Sequence, residues 1–241
     1  MKRLTVLAVG AHPDDIEIGC AGTLARYVQE GHKVYISIVC RGNAGTKHLS
    51  AGEIVKIRAD EAKKAAQIIG AELIMLGFGD GEVFHNKEYL TVFIDLVRKT
   101  RPDVIITHPP EEENFHNDHF ITRQLIIDAS IWATHKNLDM KTKYPPTEVI
   151  PSLFFFDQYV SGFAKRPTHY VDITSTMDIK KRALLEHKSQ MEFLKELFKM
   201  DFSEYVELIA RLRGLQCGVQ YAEAFCQLSE YPRIRPYRIL P

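Results

Sequence analysis

No pair of cysteines in this chain stands at CxxC spacing; Cys20, Cys40, Cys217 and Cys226 are scattered. That excludes a zinc knuckle or a secreted disulfide framework and leaves four buried free thiols as the expectation. Net charge is missing as well. Lys plus Arg and Asp plus Glu both number 31, so no net field draws the chain to nucleic acid or to an anionic membrane surface. No apolar run approaches the roughly 20 residues that span a bilayer. The first run, 4–9, passes at once into the polar His12-Pro13-Asp14-Asp15 and reads as a strand, not a signal peptide. Repeats and low-complexity tracts are lacking too, and composition does not divide the 241 residues. The expectation is one domain over 1–241, cytoplasmic, with a small neutral or weakly charged partner.

What is present is a repeated alternation. Continuous apolar runs of strand length stand at 4–9, 34–39, 73–76 and 104–106, as in parallel strands covered on both faces. Helical patterns lie between them: 18–30 ending at Gly31, 53–69 stopping at Gly70, and 88–99 with Tyr89, Leu90, Phe93, Ile94 and Val97 on one face. A helix over 118–133, strands at 153–156 and 169–173, and helices near 177–199 and 202–213 follow. The stretch 134–150 has a linker's composition, yet the Phe154-Phe155-Phe156 strand behind it reads as packing that completes the sheet. The expected fold class is α/β: a Rossmann-like, doubly wound, mostly parallel sheet with helices on both faces and central strand order 3-2-1-4.

The first strand also lacks the Gly-x-Gly-x-x-Gly turn that lets a backbone approach a pyrophosphate. In its place stand Ala11-His12-Pro13-Asp14-Asp15-Ile16-Glu17, poor for phosphate and good for a divalent cation. The fourth strand ends at Thr107-His108, and His116-Asn117-Asp118-His119 opens the next helix. The first and fourth strands are neighbours where the winding reverses, so both clusters face one crevice. Two imidazoles and a carboxylate, with a fourth position left to water, form the donor set of a catalytic zinc site. His12, Asp15 and His119 are the expected ligands, and iron(II) suits the same donors. Asp14 is then placed to take a proton from activated water. His116 is placed to stabilise the oxyanion or protonate the leaving amine, and Asp118 to orient that imidazole.

On these two motifs the sequence resembles the PIG-L/LmbE-like N-acetylglucosaminyl deacetylases, whose motifs read Ala-His-Pro-Asp-Asp followed by Glu, and His-Pro-Asp-His. The resemblance runs from the first strand to Tyr221-Ala222-Glu223-Ala224-Phe225. It implies zinc on His12, Asp15 and His119, Asp14 as general base and His116 on the oxyanion. It adds Arg58 as a substrate-binding arginine and Tyr205 as a tyrosine that approaches the metal, and it suggests a homo-oligomer, often a hexamer. There are departures. Asn117 replaces a proline, Asn43 replaces a carboxylate near the mouth, where it counts as substrate-binding, and no arginine stands near Val149, where the bacillithiol-pathway deacetylases carry one.

The expected reaction is hydrolysis of an acetamide on a small N-acetylglucosamine-type substrate, releasing acetate and a free amine. An amidase acting on a thiol conjugate or antibiotic intermediate is the rival on the same site. A non-catalytic nucleotide-binding module is the rival of another class, weakened by the missing Gly-rich turn. Among the remaining residues, His108 reads as structural or as support behind the site, and His48 and His85 as outside it. The run Glu111-Glu112-Glu113 reads as a solvated loop or a gate to the metal.

Overall fold

The computed structural model describes residues 3–110, 116–157, 167–230 and 233. In chain order the elements are β1 (Thr5–Gly10), α1 (Asp15–Gly19), α2 (Ala21–Gln29), β2 (Lys33–Cys40), α3 (Ala51–Ile69), β3 (Glu72–Phe78), α4 (Lys87–Thr100) and β4 (Val104–Thr107). Then follow α5 (Asn117–Trp132), β5 (Ser152–Phe156), β6 (His169–Asp172), α6 (Met177–Leu185), α7 (Lys188–Phe198), α8 (Phe202–Cys217) and β7 (Ala222–Gln227). The strands form one sheet in the order β3-β2-β1-β4-β5-β7-β6. The first five in that order pair in parallel, and β7 runs antiparallel to both of its neighbours. The Rossmann-like α/β fold and its central order 3-2-1-4 are therefore present.

β1 shows why its residues are apolar without alternation. Val6 and Ala8 pack with Leu24 of α2 and Ala62 and Ala65 of α3, while Leu7 and Val9 pack with Phe93 and Ile94 of α4 and Leu125 of α5. Each such side chain taken fully out of water contributes about 1.5–3 kcal/mol. Local signals agree with the packing. α3 opens on a Ser50–Glu53 capping box and stops at Gly70 in the left-handed region. The stretch after α5 is no loose linker: buried Arg98 of α4 donates to the carbonyls of Ala133, His135 and Tyr144 and to the Thr142 hydroxyl.

Two expected helices are each two. The segment read as 18–30 breaks at Cys20, whose φ is −152°, and the segment read as 177–199 breaks at His187. Both breaks are capped from afar. The Glu223 carboxylate on β7 accepts the Gly22 and Thr23 amides at 3.0 and 2.7 Å and pairs with buried Lys180. The Glu61 carboxylate on α3 accepts the Ser189 amide and hydroxyl at 2.9 and 2.7 Å. A restart stabilised by a residue 128 or more positions away leaves no local mark. β7 itself was not among the expected strands. All four cysteines are free; Cys20 and Cys40 are buried, but Cys226 is half-buried and Cys217 is exposed, against the expectation. Among the described residues no helix is long and apolar enough to cross a membrane.

Candidate active site

β1 ends at Gly10, and the chain turns through His12 and Asp14 into α1. A Cβ on Gly10 would lie 3.0 Å from Asp15 Cβ and Ile16 Cγ1, so only glycine lets the helix fold back this closely over the strand end. On the neighbouring strand, β4 ends one residue before His108, and His116 is the N-cap of α5. The adjacency of β1 and β4 brings the two motifs together across more than a hundred residues of chain.

The three expected ligands converge. His12 Nδ1 is 3.1 Å from His119 Nε2, His119 Nε2 is 3.4 Å from Asp15 Oδ1, and His12 Nδ1 is 3.7 Å from Asp15 Oδ2. A tetrahedral cation with ligand distances of about 2.0–2.2 Å sets its donor atoms roughly 3.4 Å apart, the middle of that range. The protonation states point the same way for two of the three. Burial works against the Asp15 charge, but the imidazoles of His119, His108 and His12 hold its carboxyl well below the usual range. Burial keeps the His119 imidazole well below its ordinary value despite Asp15, so the ring is neutral. His12 goes the other way: burial lowers it, but Asp118 and Asp15 raise it above its ordinary value, so a cation binding there displaces a proton. Three other triplets, His12/His116/His119, His12/Cys40/Asp80 and Asp15/His108/His119, offer donor atoms within 4.8 Å of one another, whereas the contacts of the expected triplet to Asp15 fall on two different carboxylate oxygens.

Asp14, next to the expected ligand Asp15, sits at φ 120°, a backbone conformation costing on the order of 1–3 kcal/mol in a non-glycine residue. Burial pushes its carboxyl up to about 6, partly offset by Arg58. Arg58 of α3 is 2 % exposed and lies behind Asp14 rather than at the mouth. It donates to the Pro13 carbonyl at 2.6 Å, to Asp14 Oδ1 at 3.4 Å and to the Gly42 carbonyl at 3.4 Å. Expected as a substrate-binding group, it is engaged instead with the backbone that carries Asp14. Gly42, at φ +74°, makes room for it: a Cβ there would lie 2.6 Å from Arg58 Cδ and Nε.

Asp118 is fully buried. Its Oδ2 accepts the Gly81 amide at 2.8 Å and lies 3.2 Å from His12 Nε2, against 3.8 Å from His116 Nδ1. The carboxylate expected to orient His116 is thus nearer to His12, facing the ring nitrogen opposite the one that meets His119 and Asp15, the arrangement carboxylates adopt behind metal-bound histidines. Burial and then His12 keep the His116 imidazole below its ordinary value. His116 meets the His12 ring edge-on at 4.4 Å and stacks on His119 at 4.9 Å, with its side chain 42 % exposed at the opening. Asn43 does not offer its carbonyl oxygen to the crevice; that atom accepts the Asp80 amide at 2.9 Å. Asp80 in turn accepts the Gly42 and Ala44 amides at 2.8 Å each. Sequence reasoning passed over Asp80 and Gly81, although a Gly79-Asp80-Gly81 turn directly after β3 marks a loop at the carboxyl edge of the sheet.

Tyr205 is not among the groups brought together. It packs on Phe202 and lines a small cavity with Ile18, Asp157, Lys180, Arg213 and Glu223, none of which belongs to the His/Asp cluster. Burial pushes its phenol up to about 12. His85 pairs with Asp128 at 2.7 Å and His48 lies 3.9 Å from Glu196, both away from the crevice as expected. Glu111-Glu112-Glu113 lies outside the described residues.

The model of the GlcNAc-PI de-N-acetylase family, PIG-L, matches residues 7–130, just over half of the chain. The diacetylchitobiose deacetylase of Thermococcus kodakarensis is 30% identical over 224 residues, 90% of this chain and 80% of that protein. The solved N,N'-diacetylchitobiose deacetylase of Pyrococcus horikoshii superposes with a TM-score of 0.81 at 26% identity, covering 93% of this chain and 83% of that one. A 4-oxalmesaconate hydratase of Pseudomonas putida is 25% identical over 251 residues, 95% of this chain and 90% of its own. With the fold and the site, these matches define the class as a hydrolase of the N-deacetylase type on a Rossmann-like sheet. The chain belongs to the PIG-L family.

Proposed function

We propose that this protein removes the acetyl group from a small N-acetylglucosamine-type amino sugar, with a divalent cation, zinc by preference, on His12, Asp15 and His119. The observation that carries the reading is the convergence of those three donors at 3.1–3.7 Å. When bound, the cation supplies Lewis acidity, polarising the amide carbonyl and making water acidic enough to react near neutral pH. Asp14 accepts the proton of the attacking water as the new C–O bond forms. Its carboxyl, raised to about 6 by burial, is basic enough to do so and is still mostly ionised at neutral pH. His116 donates a hydrogen bond to the developing oxyanion. The C–N bond then breaks, the proton taken by Asp14 passes to the departing nitrogen, and acetate and a free amine remain. Asp118 and Arg58 keep His12 and Asp14 in place. The same resemblance supports a homo-oligomer, which sedimentation checks.

The hydratase relative supports a second reading, in which activated water adds across a carbon–carbon double bond. The charge of the site favours the first. The site residues described above bring four carboxylates, Asp14, Asp15, Asp80 and Asp118, and one guanidinium, whose two terminal nitrogens donate to Asp14 and two carbonyls. That setting suits a neutral acetamide better than an unsaturated polycarboxylate. The experiment is to incubate the zinc-loaded protein with N-acetylglucosamine, diacetylchitobiose and related acetamides and to quantify released amine, with an unsaturated dicarboxylate followed by absorbance in parallel. Amine release that Asp14→Asn abolishes is expected. Loss of the alkene absorbance with no amine from any acetamide would replace this reading by the hydratase one.

A further inference from the structure

His108 lies directly after β4, fully buried. Its Nε2 accepts the Ala11 amide hydrogen at 2.9 Å, and Ala11 leads into His12. The same nitrogen is 3.3 Å from Asp15 Oδ2. The ring stacks on His119 at 4.1 Å with 20° between the planes, and it meets Phe156 edge-on at 5.0 Å. One side chain therefore touches the backbone that carries the first expected ligand, the carboxylate of the second and the ring of the third.

Two groups face Nε2, the Ala11 amide at 2.9 Å and Asp15 Oδ2 at 3.3 Å, and the shorter contact selects the tautomer with its proton on Nδ1. A proton on Nε2 would exchange the Ala11 bond for one to Asp15, whereas a proton on Nδ1 keeps the Ala11 bond, with Nδ1 itself unpartnered among the described residues. The Nε2 lone pair is then committed to Ala11. Although Asp15, His108 and His119 offer donor atoms within 4.8 Å of one another, His108 is not free to serve as a ligand.

We propose that His108 is the positioning residue of the metal centre, holding His12, Asp15 and His119 in their spacing through the Ala11 hydrogen bond and the stack on His119. The proposal rests on the reading that those three residues hold a divalent cation. Groups that support metal ligands from behind are typically worth 10- to 100-fold in metal affinity.

The test uses the full chain and zinc alone, with affinity measured by competition against a chromophoric chelator and geometry by the visible absorption of the cobalt(II) form. His108→Phe and His108→Leu keep the site apolar but remove the acceptor, while His108→Gln restores one. The expected result is a 10- to 100-fold loss of zinc affinity and a changed cobalt(II) spectrum in the apolar variants, with a substantial part of the affinity recovered in His108→Gln. Affinity within twofold of the parent in a folded apolar variant would overturn the proposal, as would a His108→Gln protein no better than the apolar ones. Should the apolar variants not fold, nitrogen NMR of the parent decides: Nδ1–H is expected, and Nε2–H overturns the proposal. A parent that binds no zinc sinks the underlying metal reading instead.

Discussion

Replacing Gly42 by alanine tests whether the backbone behind Asp14, the proposed base, is shaped around Arg58. Two costs arise. A side chain at φ +74° costs about 1–2 kcal/mol, less the roughly 0.4–1 kcal/mol gained by stiffening the unfolded chain. The new Cβ would also meet Arg58 Cδ and Nε at 2.6 Å and Cζ at 2.7 Å, about 1 Å inside ordinary contact. Arg58 must move, giving up its bonds to the Pro13 carbonyl and to Asp14 while buried. Each buried charged donor left unpaired costs about 1–3 kcal/mol, so two lost bonds on top of the net conformational cost come to roughly 2–8 kcal/mol. Gly31→Ala is the control, because Gly31 has φ +83° with nothing within 4 Å of its Cβ position, and it carries the conformational cost alone. Urea denaturation of both variants gives the two values, and kcat/KM for amine release shows whether Asp14 has moved. If Gly42→Ala matches Gly31→Ala within about 0.5 kcal/mol and keeps the parent's kcat/KM, the reasoning about Arg58 is wrong.

Asp14→Asn removes the proposed base while keeping its shape; kcat is expected to fall about 10²- to 10⁴-fold with zinc affinity kept within a few-fold, read by steady-state kinetics and chelator competition. Chelation with a strong zinc ligand should abolish activity and lower the Tm, and restoring zinc at about 100 times its Kd should return about 2.7 kcal/mol of stability. Arg98→Ala strips four hydrogen bonds from residues 133–144 and is expected to cost about 3 kcal/mol in denaturant melts, with kcat per folded molecule unchanged. Asp201, the N-cap of α8, is held below the usual carboxylate range by its bonds to Ser203. Its contribution of about 1 kcal/mol is therefore complete above the unfolded carboxyl's pKa and lost as pH falls through the lower folded one. Comparing Asp201→Ala with the parent at pH 7 and pH 2.5 should show the gap closing.

The central sheet and the meeting of the two His/Asp motifs were legible because their signals are short-range. Continuous apolar runs fixed β1 to β4, and His12-Pro13-Asp14-Asp15 and His116-Asn117-Asp118-His119 mark the ends of neighbouring strands. What was not legible depends on distant partners. The breaks at Cys20 and His187 are stabilised by Glu223 and Glu61, which no local window contains. β7 is read only once β5 and β6 are known to need a strand between them. Arg58 was assigned to the substrate by resemblance and Asn43 by its place near the mouth. In the folded chain the Asn43 carbonyl oxygen accepts from Asp80, and the two terminal nitrogens of Arg58 donate to Pro13, Gly42 and Asp14. Sequence spacing shows which groups are available, not which are already occupied.

The division of labour between strand ends and connections has a consequence for how such a chain diverges. His12, Asp15 and His119 sit on the last turns of backbone fixed by the sheet, whereas Asn43 and Asp80 belong to the connections after β2 and β3. Connections tolerate insertion and exchange far better than the elements they join. The rim can therefore be rewritten, lengthened or recharged by drift while the donor triangle keeps its spacing. A scaffold arranged in this way does not commit its descendants to one substrate, or even to one bond type. On the proposed reading, it commits them to activated water at a fixed point and leaves the choice of what meets that water to the parts most easily changed.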